Sequence, residues 1–210
     1  MYQLYYSPGA CSMAVHVVLN ELNIPFEAKK IDLQAGEGQT PEFLKLNPRG
    51  QVPVLIADNQ IIREGAAIII YLLEEYKSIL LPRSGRARVT ALEWLMFGNA
   101  TMHPAYSRIF FIMKNVTDAT QKDELFKVAL EWVNKLWAEV DAHLVKNRFM
   151  CGKDFTAADI LLTVYANWSS NFPQQVTLGT NVKRMLRDVV ARPSYQKALK
   201  TEQVEYKAAA

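Results

Sequence analysis

The residues that could carry chemistry gather in three short stretches of the N-terminal third of the chain, and the first holds one of its two cysteines. In "YYSPGACSMAVHVVL", residues 5–19, Cys11 stands where a strand pattern gives way to a helix that Ser12 would open. The unpaired N–H groups of a first helical turn favour an anion. This position predicts that the site favours a thiolate, either of Cys11 or of a ligand, with Ser12 as a second donor. The alternative, that Cys11 is a small buried apolar group, stays open from this stretch alone.

The second stretch, "NPRGQVPVL" (residues 47–55), places Pro53 inside a hydrophobic strand pattern. Proline cannot donate to a strand ladder, so it belongs at an edge, a bulge or a special turn. A cis Val52–Pro53 bond would resolve the conflict and would turn the N–H and C=O of Val52 outward. Those groups could then pair with the backbone of a peptide-like ligand, as an added strand does. An ordinary edge-strand proline is the other interpretation.

The third stretch, "REGAAIIIYL", puts Glu64 and Gly65 directly before an apolar helix. A helix N-terminus suits a carboxylate, and glycine lets a ligand approach the backbone closely. Glu64 would suit an ammonium group. The pair therefore predicts a clamp for the amino-acid end of a ligand, although an acidic residue at a helix start is also a favourable partner of the helix dipole.

Short strand and helix patterns alternate over the elements that would position these residues. Strands are predicted at 2–7 and 26–33, and a hairpin is predicted to turn at Asp58-Asn59. Helical spacing of apolar residues follows the first strand and the hairpin. The order βαβ and then ββα predicts a compact α/β unit with a mixed sheet.

The pattern becomes wholly helical after the linker "PRSGRAR". Helical periodicity runs from 89 to 145, with breaks near Pro104 and around "NVTDAT", and three further helical segments follow. We therefore predict an α/β domain at 1–80, a linker at 81–87 and an all-helical domain at 88–210.

Composition excludes several classes of protein. The chain has 210 residues, half of them hydrophobic, and a formal charge of +3 that is too small and scattered for a nucleic-acid binder. Its longest apolar run, "AAIIIYLL", is too short to span a bilayer, and no signal peptide is expected. Three histidines and two cysteines show no metal-ligand spacing, so no metal is predicted. Two cysteines favour a reducing, cytoplasmic compartment.

Taken in order, the three motifs resemble those of the glutathione transferases. The form "YYSPGACS…NPRGQVPVL…EGAAIIIYL", together with an all-α second half, is most similar to the bacterial beta class, and the resemblance covers essentially the whole chain. It implies a thioredoxin-like N-terminal domain that binds glutathione and a C-terminal helical bundle domain that forms the electrophile site. It also implies a homodimer.

The resemblance assigns roles to residues of the N-terminal domain. Cys11 matches the beta-class cysteine that meets the glutathione sulfur and can form a mixed disulfide with it, and Ser12 matches a neighbouring thiolate donor. Val52, before Pro53 and the cis bond expected there, matches the residue that pairs with the cysteinyl backbone of glutathione. The rest of the implied contacts come from Gln51, beside Val52, and from Glu64 with Gly65, which hold the γ-glutamyl end.

Other positions depart from the family pattern or have a second interpretation. His103 in "NATMHPAY" matches a beta-class histidine that faces the glutathione site. Gly65 replaces the usual serine, and the loop "QAGEGQTPEF" lacks the lysine that often holds the glycine carboxylate. Tyr6, where other classes carry a catalytic tyrosine, is interpreted as a packing residue.

Several further side chains are assigned from pattern alone. Tyr106, Phe110 and Phe111 either line an apolar substrate pocket or simply pack. Asp159 is predicted to complete a helix-capping box with Thr156. The remaining cysteine, Cys151, is predicted to be inert core.

The activity implied by the resemblance is transfer of the glutathione thiolate to a small hydrophobic electrophile. Two alternatives stay open: thiol-disulfide exchange (deglutathionylation) through Cys11, and a non-catalytic adaptor on the same fold. Glutathione is expected as co-substrate, with no metal, no nucleic acid and no membrane partner.

Overall fold

The computed structural model describes residues 1–209, and Ala210, the last residue of the predicted helical domain, lies outside them. The chain divides into two compact units. The first comprises Met1–Arg88 and Val190–Tyr206, and the second comprises Val89–Val189 together with the C-terminal residues from Lys207.

A four-stranded mixed sheet forms the centre of the first unit. Its strands are β1 (Tyr2–Tyr6), β2 (Phe26–Lys30), β3 (Val54–Ala57) and β4 (Gln60–Arg63), in the spatial order β2-β1-β3-β4. β1 runs parallel to β2 and antiparallel to β3, while β3 and β4 form an antiparallel hairpin. The mixed sheet and the order of its elements confirm the prediction.

The predicted hairpin turn also forms where the sequence indicates. Asp58 and Asn59 have φ angles of 46° and 67°. Two consecutive positive φ angles are those of a type I′ turn, which aspartate and asparagine tolerate better than most residues. This turn fixes the register of β4 on β3, and β4 leads directly into Glu64.

Three helices accompany the sheet: α1 (Ser12–Glu21), α2 (Pro41–Leu46) and α3 (Gly65–Glu75). The side chains of α1 are buried from Ser12 to Asn20, so this helix is enclosed within the unit and is held in place by packing on all sides. A short 3₁₀ turn (Glu37–Gln39) precedes α2. The hydroxyl of Thr40 accepts the N–H of Phe43 at 3.3 Å and caps the α2 N-terminus.

The second unit is helical. It contains α4 (Gly85–Met96) from Val89 onward, α5 (His103–Asn115), α6 (Ala119–Leu144), α7 (Ala157–Asn167) and α8 (Thr180–Val190) as far as Val189, with a short 3₁₀ turn (Trp168–Asn171) after α7. Its buried aromatic residues include Tyr106, Trp137 and Tyr165. Together the two units show the predicted fold class, a thioredoxin-like N-terminal sheet domain with a C-terminal helical domain.

The expected break near Pro104 takes a different form. A π-helical segment, Phe97–Met102, separates α4 from α5, and Pro104 lies in the first turn of α5. A proline is tolerated in a first turn because its missing N–H would have no intrahelical acceptor there. The perturbation of the helix therefore precedes the proline.

The capping box predicted at the start of α7 is present. The carboxylate of Asp159 accepts the Thr156 N–H at 2.9 Å and the Thr156 hydroxyl at 3.0 Å, and its other oxygen accepts the Met150 N–H at 2.8 Å. Asp159 is fully buried, and this burial raises its pKa to about 6 despite these donors. Its role is to join the preceding loop to the helix.

The C-terminal helix α9 (Pro193–Glu202) belongs to the first unit because its polar groups bind α1. The guanidinium of Arg192 forms a two-pronged ion pair with Glu21, at 2.6 and 2.9 Å, and the Asn20 amide donates to the Ser194 carbonyl at 3.2 Å. The segment 190–206, which the helical pattern places in the predicted 88–210 domain, thus forms one compact unit with the N-terminal residues. The roles predicted for the two domains remain predictions.

Among residues 1–209, none of the helices has the length and apolar character that a bilayer-spanning segment requires.

Candidate functional site

Cys11 lies in the turn between β1 and α1. The turn closes through a hydrogen bond from the Ala10 N–H to the Ser7 carbonyl at 3.0 Å, and α1 begins at Ser12, directly after the cysteine. The residue Cys11 is partly exposed as a whole, but its sulfur is desolvated; the thiol donates to the backbone carbonyl of Val52, with an Sγ–O distance of 3.4 Å. Two of the sequence-predicted residues, 41 positions apart, are therefore in direct contact.

The thiol of Cys11 is not favoured as a thiolate in the unliganded chain. Burial raises its pKa to about 11; hydrogen bonds from the backbone N–H groups of Ser12 and Cys11 lower it, and the negative charge of Glu64 raises it further. The helix start thus acts in the predicted direction, but desolvation of the sulfur outweighs it. At neutral pH Cys11 is a neutral thiol that donates a hydrogen bond.

Ser12 connects the strand end to the helix. Its hydroxyl is fully buried, accepts the Ser7 N–H at 3.2 Å and donates to the Ser7 carbonyl at 3.3 Å. Since a hydroxyl has one proton to donate, this geometry uses it within the turn. The arrangement favours a positioning role for Ser12 over direct contact with a ligand sulfur.

Val52 lies two residues before the start of β3, outside the strand ladder. The Val52–Pro53 peptide bond is cis, as predicted, and β3 begins only at Val54. Within the described part of the chain, no hydrogen bond engages the Val52 N–H. The Val52 side chain is buried in a cluster with Phe43 and Ala10, so its backbone groups are held at a fixed place.

The loop before Val52 is braced by a buried asparagine. Asn47 accepts the Arg49 N–H at 3.3 Å through its side-chain oxygen and donates to the Gln51 carbonyl at 2.7 Å. Its own carbonyl accepts the Gly50 N–H at 2.9 Å. The Gln51 side chain itself is exposed, beside Val52. Sequence reasoning missed Asn47, although an asparagine followed by proline, with glycine three residues after it, is a recognisable turn signal.

Glu64 precedes α3 in an unusual backbone conformation, with φ 69° and ψ 115°. Few non-glycine residues adopt positive φ, and such residues cluster at functional sites. The Glu64 carboxylate is exposed and accepts a hydrogen bond from the Arg49 guanidinium at 2.7 Å. A Cβ built on Gly65 would lie 3.6 Å from Pro53 Cγ, which places the start of α3 against the residue after Val52.

His103 begins α5 in the second unit, where its ring stacks on Tyr165 at 5.1 Å and lies 5.2 Å from the Trp168 ring. It lines a groove of about 1080 Å³ between α5 and α6. The other residues that line this groove are mostly apolar, and they include Phe111, Leu125, Val128 and Trp132.

The aromatic residues predicted for a substrate pocket separate into two groups. Phe111 lines the groove and is largely exposed. Tyr106 is fully buried, and its hydroxyl bonds the Ser169 hydroxyl at 2.7 Å and accepts the Trp137 indole N–H at 2.8 Å. Phe110 packs against Trp168 and Phe172. The packing interpretation therefore fits Tyr106 and Phe110, and the pocket interpretation fits Phe111.

A buried polar connection from α9 to the cysteine turn was missed by sequence reasoning. One carboxylate oxygen of Glu202 accepts the Gly9 N–H at 2.9 Å, and the other lies 2.9 Å from His16 Nδ1 on α1. Glu202 is 3% exposed. The sequence offers no signal for it, because Glu202 lies 193 residues from Gly9.

Two further predictions concern Tyr6 in the first unit and Cys151 in the second. Tyr6 is buried with its ring against His16 at 5.7 Å, in the packing role predicted for it. Cys151 is a partly buried free thiol whose Sγ lies 3.5 Å from the Thr156 hydroxyl oxygen. Among residues 1–209, no group of three or more histidine, cysteine or acidic side chains is arranged to hold a metal ion.

Comparison with known proteins agrees with this geometry. Residues 9–75 match the family model "Glutathione S-transferase, N-terminal domain", which spans Cys11, Val52 and Glu64. The chain is 32% identical over 206 residues to glutathione S-transferase GST-4.5 of Xanthomonas campestris pv. campestris, covering 95% of this chain and 98% of the relative. It is 30% identical over 207 residues to glutathione S-transferase 3 of Zea mays, covering 95% and 92%.

A solved structure supports the same assignment over both domains. The glutathione S-transferase from Xylella fastidiosa superposes with a TM-score of 0.89 at 27% identity, covering 98% of this chain and all of that one. Both the sequence matches and the superposition extend well beyond the N-terminal domain. This chain belongs to the glutathione S-transferase family.

Proposed function

We propose that this chain is a beta-class-like glutathione transferase that conjugates the thiolate of glutathione to small hydrophobic electrophiles. The observation that carries the proposal is the contact between the Cys11 thiol and the Val52 carbonyl, at 3.4 Å, beside a Val52 N–H without a hydrogen-bond partner in residues 1–209. A thiol and an open peptide edge at one place suit a ligand that is itself a cysteinyl peptide.

The backbone of glutathione would bind Val52 as an added strand binds a sheet edge. The Val52 N–H would donate to the cysteinyl carbonyl of glutathione, and the Val52 carbonyl would accept its cysteinyl N–H. Pro53 and Gln51 flank this contact. Because the Val52 carbonyl already accepts from the Cys11 thiol, a ligand N–H would replace that thiol and free it to turn toward the ligand sulfur.

The role of Cys11 would then be to donate a hydrogen bond. Its pKa of about 11 keeps the proton on Cys11 at neutral pH, and a neutral S–H donor stabilises a neighbouring thiolate. The glutathione thiol loses its proton to solvent, its sulfur forms the new bond to the electrophilic carbon, and the leaving group departs with the displaced electron pair. Holding the two reactants together supplies much of the acceleration.

The remaining predicted contacts complete the glutathione site. Glu64 would hold the γ-glutamyl ammonium group, and the Gly65 N–H at the start of α3 would face the neighbouring carboxylate. We propose that His103 contributes from the helical domain. Glutathione is the co-substrate, and no metal takes part.

The helical domain would hold the electrophile. Its groove between α5 and α6 is mostly apolar, with Phe111 64% exposed, which suits a small hydrophobic substrate. Val128 and Trp132 on the same face are 67% and 41% exposed. Such an exposed apolar face is also typical of a subunit contact, so we propose a homodimer, which sedimentation would detect.

Two further properties belong to the proposal. Both cysteines are free thiols, as a reducing compartment maintains them, which supports a cytoplasmic location. The physiological role would be detoxification in a bacterial cell.

The conjugation assay uses glutathione with 1-chloro-2,4-dinitrobenzene, and the exchange assay uses a glutathionylated peptide. We expect the wild type to conjugate and Cys11→Ser to keep this activity, because a serine hydroxyl still donates. Cys11→Ala removes the donor and lowers kcat/KM by about tenfold. Cys151→Ser, the matched control at the other free cysteine, leaves both activities unchanged.

Three results would contradict the proposal. No retention on immobilised glutathione would favour an adaptor. Exchange activity without conjugation, abolished by Cys11→Ser, would identify thiol-disulfide exchange as the function. Equal conjugation by wild type and Cys11→Ala would remove the sulfur donor from the mechanism.

A further inference from the structure

Arg49 is the only residue that binds the carboxylate of Glu64 within residues 1–209, and it belongs to none of the contacts proposed above. The two side chains are 53% and 63% exposed. An ion pair this exposed contributes little to stability, because water screens it and both side chains lose freedom in forming it. The pair therefore calls for another explanation.

The backbone around both residues is fixed. Asn47, itself 2% exposed, holds the Arg49 N–H at 3.3 Å, and Glu64 stands between β4 and α3 with a positive φ. The preceding residue, Arg63, donates to the Leu46 carbonyl at 2.6 Å and so ties β4 to the end of α2. Two opposite charges are thus presented side by side by braced backbone.

The guanidinium of Arg49 has donors to spare. It carries five N–H groups, and in the described part of the chain only the Nη2 contact to Glu64 is formed. Free guanidinium N–H groups bind carboxylates, often through two parallel hydrogen bonds. Gly65, beside Glu64, has no side chain that could take this role.

We propose that Arg49 is a specificity-determining residue that binds the α-carboxylate of the γ-glutamyl group while Glu64 binds its α-ammonium. This inference rests on the proposed function, since it takes glutathione as the ligand. The α-ammonium and α-carboxylate of an amino acid are attached to one carbon, so they need opposite charges at neighbouring positions. The Arg49–Glu64 pair, at 2.7 Å, provides them.

The structure predicts an asymmetric effect of removing Arg49. Without the guanidinium, the α-carboxylate of glutathione loses its cationic partner and faces the Glu64 charge. The ammonium loses nothing, since Glu64 is released from its ion pair. A ligand that keeps the ammonium but lacks the α-carboxylate therefore binds the variant as well as, or better than, the wild type.

The test measures affinity by calorimetry for three ligands: glutathione, 4-aminobutanoyl-Cys-Gly, which lacks the α-carboxylate, and glutaryl-Cys-Gly, which lacks the ammonium. We expect Arg49→Gln to weaken glutathione binding about tenfold and to leave 4-aminobutanoyl-Cys-Gly binding unchanged or tighter. Arg49→Lys should recover part of the loss, because lysine keeps the charge without the planar fork. The matched control is Arg148→Gln, at an ion pair with Asp188 on the second unit, which should change no affinity.

Each remaining outcome has a defined meaning. Equal glutathione affinity in wild type and Arg49→Gln would overturn the inference and leave the proposed function intact. An equal loss for glutathione and 4-aminobutanoyl-Cys-Gly would also overturn it, since it would show a general disturbance of the loop. Failure of the wild type to bind glutathione would overturn the proposed function and this inference together.

Discussion

Replacing Glu202 tests whether α9 holds the cysteine turn in place. Its carboxylate is 3% exposed and has two partners, the Gly9 N–H and His16 Nδ1, both at 2.9 Å. Glu202→Ala removes the acceptor of the partly buried Gly9 N–H and the partner of the buried His16 ring, and losing such a partner costs about 1–3 kcal/mol for each group, or about 2–6 kcal/mol together. This is a large share of the stability of an ordinary domain, about 5–15 kcal/mol.

The expected loss in the free energy of unfolding is large enough to be measured by thermal denaturation. In a chain of this size each kcal/mol shifts Tm by about 2–4 °C, so a loss of about 2–6 kcal/mol in Glu202→Ala should lower Tm by about 4–24 °C. Glu202→Gln keeps an oxygen for the Gly9 N–H and should lose less than half as much free energy of unfolding. The exposed Glu139→Ala on α6 is the matched control and should stay within about 0.5 kcal/mol of wild type.

A second measurement connects this network to the site. Gly9 lies two positions before Cys11, so a turn released from Glu202 should make the thiol more accessible to alkylation at a temperature where the chain remains folded. Two results would show that α9 does not position this turn. One is a Tm of Glu202→Ala equal to that of the Glu139→Ala control, and the other is a lowered Tm with an unchanged rate of Cys11 alkylation.

Two further predictions follow from buried titratable groups. Because burial raises the pKa of Cys11 to about 11, its iodoacetamide reaction at pH 8 should be slower than that of free cysteine and should rise only toward pH 11; a rate that levels off below pH 9 would contradict this. Asp159→Ala removes the acceptor of the Met150 and Thr156 N–H groups and should cost about 2–4 kcal/mol in urea unfolding, whereas a loss under 1 kcal/mol would show that the capping box is dispensable.

Local signals predicted much of the fold. The Asp58-Asn59 turn, the capping box at Asp159 and the unusual place of Pro53 each depend on residues within a few positions, and each is confirmed. Turn chemistry and capping act over such short distances, so the amino-acid sequence displays them directly. The order of strands and helices along the chain could be predicted from the order of these signals.

Contacts between distant segments could not be predicted in the same way. Glu202 and Gly9 are 193 positions apart, and the local sequence around either residue does not indicate a contact with the other. The same holds for Arg192 and Glu21, whose ion pair joins α9 to α1. Helical periodicity predicted α9 but not that it packs on α1. An amphipathic pattern shows which face of a helix is apolar, but it does not show which element packs against that face.

The pKa of Cys11 shows why a motif alone does not determine its chemistry. A helix start stabilises a nearby charge by about 0.3–1 kcal/mol, which lowers a pKa by less than about one unit. Full burial can raise the pKa of an acid by up to 3–5 units, so the amount of water around the sulfur decides the outcome. The sequence displays the helix start but not the burial, which the whole fold creates. In the proposed complex the same helix start would also face the ligand sulfur, so the smaller effect would still favour the thiolate of glutathione, and the proton retained by Cys11 would stabilise it further.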